Sequence, residues 1–166
     1  MPGSDPPRRL APNTSSAATP SSGMLRGQRG CGRNIVMGLI EKRLIKQGQE
    51  EWVPMAQKEL RELTGGEQVY EVDWSTFTTD AEGLQNVQNQ GLRRINGAFR
   101  NICRDELGKE AANDGVTKVL LKNVANPSEK SISIADRVIT VQCAWAKGSD
   151  GYFSDGELTR TIEKLL

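Results

Sequence analysis

Arg93, Arg100 and Arg104 stand at i, i+7 and i+11, a spacing that keeps returning to one side of a helix. Each guanidinium offers five donors in a planar fork, the chemistry of carboxylate or phosphate recognition. A charged row is also what a solvated helix face ordinarily carries, paired here with acids such as Glu82, Asp105 or Glu106. If the row binds, its partner is an acidic protein surface or a nucleic-acid backbone. Trp52, set between two helical segments beside Glu50 and Glu51, is the best-placed aromatic for an exposed anchor on a partner. These four residues are the candidate binding set.

Bond-making chemistry finds less to work with. The chain has no histidine, which removes His-dependent triads, His general bases and most transition-metal sites. Paired carboxylates remain: Asp73 with Asp80, and Asp150 with Asp155. Such pairs can exchange protons or hold magnesium, but turns also collect aspartate for its local backbone hydrogen bonds. Cys103 has Arg100 and Arg104 close in sequence, yet it falls among apolar residues, which points to packing rather than a reactive thiolate. Cys31, Cys103 and Cys143 show no metal-site or redox-motif spacing. The 147–151 run, KGSDG, precedes a helix as anion cradles do, but it lacks phosphate-loop spacing and carries acids that repel a phosphate. No catalytic or metal-ligating residue is assigned, and no cofactor is expected.

The arginine row needs a helix. From Leu84 to Leu107 the apolar residues Leu84, Val87, Leu92, Ile95, Phe99, Ile102, Cys103 and Leu107 draw one stripe at helical period, the expected core helix. Glu106 interrupts that stripe and predicts that the helix loosens before it. Upstream, Asn34–Gln47 reads as a first helix, capped by Asn34, with Ile35, Leu39, Ile40 and Leu44 on its buried face. Pro54 opens a second, to about Thr64, along which Ala56, Leu60 and Leu63 align. These two form an antiparallel pair or one kinked helix.

Strands fill the rest. Val69–Trp74 alternates, with Tyr70, Val72 and Trp74 on one face. Residues 116–124 are β-rich, and Ser131–Ala135 with Val138–Trp145 reads as a hairpin about Asp136-Arg137. Ser154 and Glu157 make a capping box for a last helix, buried through Leu158, Ile162 and Leu165. The element order is α-α-β-α-β-β-β-α. The expected fold is α+β in two layers, a four-stranded, mainly antiparallel sheet covered by helices.

Composition divides the chain at residue 33. Residues 1–33 hold five of the seven prolines, two leucines and no isoleucine, valine or aromatic residue, so they cannot offset the entropy of ordering and read as a disordered tail. With five arginines against one aspartate the tail carries +4; residues 34–166 carry 17 basic and 20 acidic residues, about −3. The tail reads as an ordinary extension, a targeting segment, or a stretch ahead of a true start at Met24 or Met37. The acidic body gives no general pull toward nucleic acid or anionic lipid, and no apolar run approaches membrane-spanning length.

The function expected on these grounds is that of a small soluble, non-catalytic, cytoplasmic protein that binds another protein or itself. Two alternatives stand: a polyanion or nucleic-acid binder using the tail and the arginine row, and a small carboxylate-dependent enzyme.

Overall fold

The computed structural model describes residues 37–166. The expected disordered tail and the Asn34 cap therefore lie outside the described residues. The order of elements is α1 (Leu39–Gln47), a π-helical turn (Gly48–Trp52), α2 (Val53–Thr64), β1 (Val69–Val72), α3 (Ala81–Asn86), a second π turn (Val87–Gly91), α4 (Leu92–Ile102), α5 (Glu106–Gly115), β2 (Lys118–Asn123), β3 (Ser131–Ala135), β4 (Val138–Cys143) and α6 (Asp155–Leu165). The class is α+β.

The sheet order is β1-β2-β4-β3. β1, β2 and β4 run parallel, and only β3 pairs antiparallel, with β4. The mainly antiparallel expectation is thus corrected to a mixed sheet. Short links alone suggested successive neighbours, but burial decides the placement. Ile139, Val141 and Cys143 of β4 are fully buried, whereas Ser131, Ser133 and Ala135 alternate along β3. The apolar strand takes the interior, the half-polar one the edge. The β3–β4 hairpin turns at Asp136 and Arg137, as expected, with both residues at positive φ, the geometry of a two-residue loop.

Register puts Tyr70, Val119, Ile139 and Ile134 in one row across the sheet, with Val72, Leu121, Val141 and Ile132 in the next. That face meets the helices. The opposite face carries Glu71, Lys118, Lys122, Thr140 and Gln142, with Lys118 and Glu71 ion-paired across neighbouring strands at 2.6 Å. α4 lies in the helix layer between α2 and α6. Leu84, Val87, Leu92, Ile95 and Phe99 are all buried, as the stripe predicts.

That stripe is not one regular helix. Val87 and Leu92 are five residues apart, and the Leu92 N–H donates to the Val87 carbonyl across the π turn. The extra residue keeps both on the core side. The first π turn has the same i→i+5 bond, from the Val53 N–H to the Gly48 carbonyl. It immediately precedes Pro54, whose ring would crowd the carbonyl four residues back in a regular α-helix. Residues 39–64 thus form one helical rod with a widened turn in its middle, the kinked-helix alternative. Leu39 and Ile40, expected on its buried face, are exposed.

At the far end the helix breaks after Ile102. Asp105 caps α5 by accepting from the Gly108 N–H at 2.8 Å. Glu106 therefore points outward, and Leu107, expected in the stripe, is 75% exposed. The last capping box forms as predicted, Ser154 with Glu157. No helix of the described residues is long and apolar enough to cross a membrane.

Candidate functional site

Both widened turns contribute residues to one groove, Glu51 and Trp52 from the first and Gln88 and Asn89 from the second. The groove is open, about 440 Å³, and is walled further by Met55 and Glu59 from the first rod and by Leu92, Arg93 and Asn96 from the second. A π turn spreads the helical backbone and re-aims the side chains that follow it, and such turns recur at functional sites. Here both belong to the two helices that wall one groove.

Glycine sets how those turns pack. Gly91 lies against the ring of Trp145, and Gly48 against that of Trp74. Trp145 is further fixed by its indole N–H, which donates to the Lys122 carbonyl at 2.9 Å. Trp74 meets Trp52 edge to face, with ring centroids 6.1 Å apart. Trp52, expected to be exposed, is only 6% exposed. It forms part of the groove wall rather than a protruding anchor. Its indole nitrogen is the one buried side-chain nitrogen or oxygen without a hydrogen-bond partner among the described residues.

A polar chain leads from the core to the groove rim. The Tyr70 hydroxyl donates to Asn96 Oδ1 at 2.7 Å. The Asn96 amide donates to the Ala56 carbonyl at 3.1 Å and to Glu59 Oε2 at 2.8 Å. Arg100 closes the chain on Glu59 Oε1. Burial, and then the nearby Glu59 carboxylate, hold the Tyr70 phenol well above its usual range. At neutral pH that hydroxyl is therefore a fixed donor.

The arginine row is exposed, but its members differ. Arg100 is ion-paired with Glu59. Arg93 donates to the Gln90 side-chain oxygen at 3.0 Å, and Arg104 to that of Asn101 at 2.8 Å. Neither Arg93 nor Arg104 forms an ion pair among the described residues, and the expected acids Glu82, Asp105 and Glu106 are not the partners. Arg93 and Trp52 come together as walls of the groove; Arg104, expected on the same helix face, falls in the turn past the end of α4 and is not part of it.

No protein-family model, curated protein or solved structure matches the chain. The site is therefore judged on its chemistry.

The other candidate groups have structural partners. Asp80 caps α3 through the Gly83 N–H and accepts from the Asn123 amide at 2.8 Å. Asp73 accepts from the Ser75 hydroxyl in the turn after β1. Asp155 lies 3.6 Å from Arg94 at the start of α6. Burial raises the thiols of Cys103 and Cys143, the latter to about 12, so both are poor nucleophiles at neutral pH. Among the described residues no three His, Cys, Asp or Glu side chains gather as a metal site.

Sequence reasoning missed Glu59, Asn96, Tyr70 and Arg94. Arg94 bridges α4 and α6: its guanidinium sits 5.0 Å above the Tyr152 ring and reaches the Phe153 carbonyl. One signal for the polar chain was available. Asn96 is an amide between Ile95 and Phe99 on a strongly apolar face, and a buried amide demands partners.

Proposed function

We propose that the protein acts as a non-catalytic binding protein and that the groove between α2 and α4 receives a segment of another protein. The observation that carries this reading is that both π turns lend residues to the wall of one open groove. That groove combines an apolar floor with exposed Met55 and with Arg93, which forms no ion pair among the described residues. Protein-binding surfaces place an apolar contact inside a polar rim in this manner, with methionine and arginine among the favoured residues.

The test uses the full chain, purified in wild-type form and as Met55→Glu. Met55 is 73% exposed, so the charge leaves the fold and melting temperature unchanged. A protein retained from source lysate by the wild type, or self-association on light scattering, that disappears in Met55→Glu supports the reading. Identical captures by both forms, or no partner and no self-association, overturn it. Salt-sensitive retention on immobilised nucleic acid that weakens in Arg93→Gln would favour polyanion binding instead.

A further inference from the structure

The two edges of the sheet are finished differently. At the β1 edge the outward Tyr70 N–H donates to Gln57 Oε1 of α2 at 3.0 Å. At the β3 edge the outward groups are those of Ile132 and Ile134, as the bonding of β4 requires. The carbonyls of Arg137 and Cys143, at the two ends of β4, accept from the Thr117 and Val124 N–H groups beside β2 at 2.8 and 3.0 Å. Odd-numbered residues of β4 thus bond toward β2 and even-numbered ones toward β3. Ser131, Ser133 and Ala135 therefore bond to their register partners Gln142, Thr140 and Val138, and the N–H and C=O groups of Ile132 and Ile134 point off the sheet. Among the described residues nothing hydrogen-bonds to them. Ser131–Ala135 contains no proline, no charge and no bulge, the devices that ordinarily blunt an open edge.

We propose that this edge pairs with the same strand of a second copy, antiparallel about a two-fold axis at Ser133, joining two four-stranded sheets into one. Charge selects both the occupant and the register. Glu129 and Lys130 precede the strand, and Asp136 and Arg137 follow it. The signs run minus, plus, then minus, plus, so reversing the strand sets each charge against its opposite. Centred on Ser133, Lys130 comes beside Asp136 of the second copy and Glu129 beside Arg137 of the second copy, each twice by symmetry. Glu157 senses the Lys130 charge from beyond ion-pair distance, so the fit lies in the alternation of sign along the edge, not in any single unpaired group. Registers centred on Ile132 or Ile134 would instead set Lys130 or Asp136 opposite an isoleucine. In the Ser133 register the half-buried Ile132 meets Ile134 of the second copy on the helix-covered face.

Sedimentation equilibrium of the full chain, from micromolar to millimolar concentration, is expected to show a monomer–dimer equilibrium. Ser133 is exposed, so Ser133→Lys and Ser133→Glu should keep the fold, checked by circular dichroism and melting. Each sets like charges side by side at the axis and should weaken the dimer at least tenfold, whereas an equimolar mixture of the two should dimerise again. In ¹⁵N spectra of the wild type, the Ile132 and Ile134 amides should gain protection from hydrogen exchange as concentration rises, while Ser133, bound within the monomer, stays protected throughout. That measurement needs no variant and decides alone if either substitution unfolds the chain. Met55 belongs to the α2/α4 groove, so Met55→Glu should leave this dimer intact. A monomer at millimolar concentration overturns the proposal, as does a dimer indifferent to both Ser133 variants. Loss of the dimer in each variant without recovery in the mixture, or no gain of protection at Ile132 and Ile134, overturns the Ser133-centred pairing.

Discussion

Gly91 lies against Trp145 so closely that a Cβ added there would stand 2.9 Å from Cζ3 and 3.0 Å from Cη2 of the ring. Trp145 cannot retreat easily, since it is buried and its indole N–H is bound to Lys122. Alanine gains about 1 kcal/mol of helix propensity over glycine, but overpacking a filled core costs about 1–3 kcal/mol. Gly91→Ala is therefore expected to lower stability by up to about 2 kcal/mol in urea unfolding. Gly48→Ala makes the instructive contrast. Its Cβ would meet the far edge of the half-buried Trp74 ring at 2.5 Å and that of the buried Trp52 ring at 3.2 Å. Trp74 can shift outward where Trp145 cannot, so this variant should lose less than Gly91→Ala, about 1 kcal/mol or under. Equal losses at both glycines would show that the π turns, rather than the tryptophan seats, set the cost.

Asn96 is expected to be the costliest polar residue to remove from the groove wall. Alanine there strands the Tyr70 hydroxyl, the Ala56 carbonyl and one oxygen of Glu59. Leaving a buried group unpaired costs about 1–3 kcal/mol. Tyr70→Phe removes only one bond of the chain and should cost about 1 kcal/mol. The double variant should lose less than the sum, because Tyr70→Phe leaves no hydroxyl for Asn96 to satisfy. Additive losses in a double-mutant cycle would mean that the two side chains do not act as one network.

How far the fold was legible follows from particular residues. Glu106 sits where an unbroken helix would bury it, and that conflict placed the helix break correctly. The Ser154–Glu157 box and the Asp136-Arg137 hairpin are local chemistry that needs no tertiary information. The π turn at Val87–Gly91 left a trace too, a five-residue step between Val87 and Leu92 where the period asks for three or four. The parallel pairing of β2 with β4 left none in the loop lengths. It follows from the competition of strands for the sheet interior, a property of the assembled layer. Arg93 and Arg100 were legible as neighbours on one helix, but Arg104 falls past the end of α4, and Glu59 reaches Arg100 from 41 residues away. Trp52 was misplaced for the same reason: Trp74, the residue that covers it, arrives from beyond β1.

Stability should decline on the alkaline side in two overlapping steps. Burial raises the Cys143 thiol from 9.0 to about 12 and the Cys103 thiol in the same direction, and Tyr70 is raised well above 10.0. Above pH 9 the unfolded chain ionises its thiols first and binds fewer protons than the native state, so unfolding becomes easier as pH rises toward 12. The tyrosine adds to this slope from pH 10. Cys143→Ala should reduce the slope between pH 9 and 10, leaving the part due to Cys103, whatever its cavity costs at neutral pH. Chemical denaturation at half-unit intervals reads the slope directly. An unchanged slope in Cys143→Ala would show that the thiol is not held protonated in the native state.

Glu59 and Arg100 form one ion pair, yet their removal should not cost the same. Arg100 is largely exposed, at 61%, and its other face meets water. Exposed pairs contribute about 0–1 kcal/mol and are screened by salt. Arg100→Ala should therefore lower stability by less than about 1 kcal/mol, and by still less in molar sodium chloride. Glu59 also anchors the Asn96 amide, which faces the buried Tyr70 hydroxyl on its other side. Glu59→Ala should cost about 1–2 kcal/mol, with a loss that salt scarcely changes, because it removes a partner from a partly buried donor. Paired urea curves at low and high salt separate the two effects. If both variants lose the same amount and both losses vanish in salt, the chain from Tyr70 to Arg100 contributes only through its exposed end.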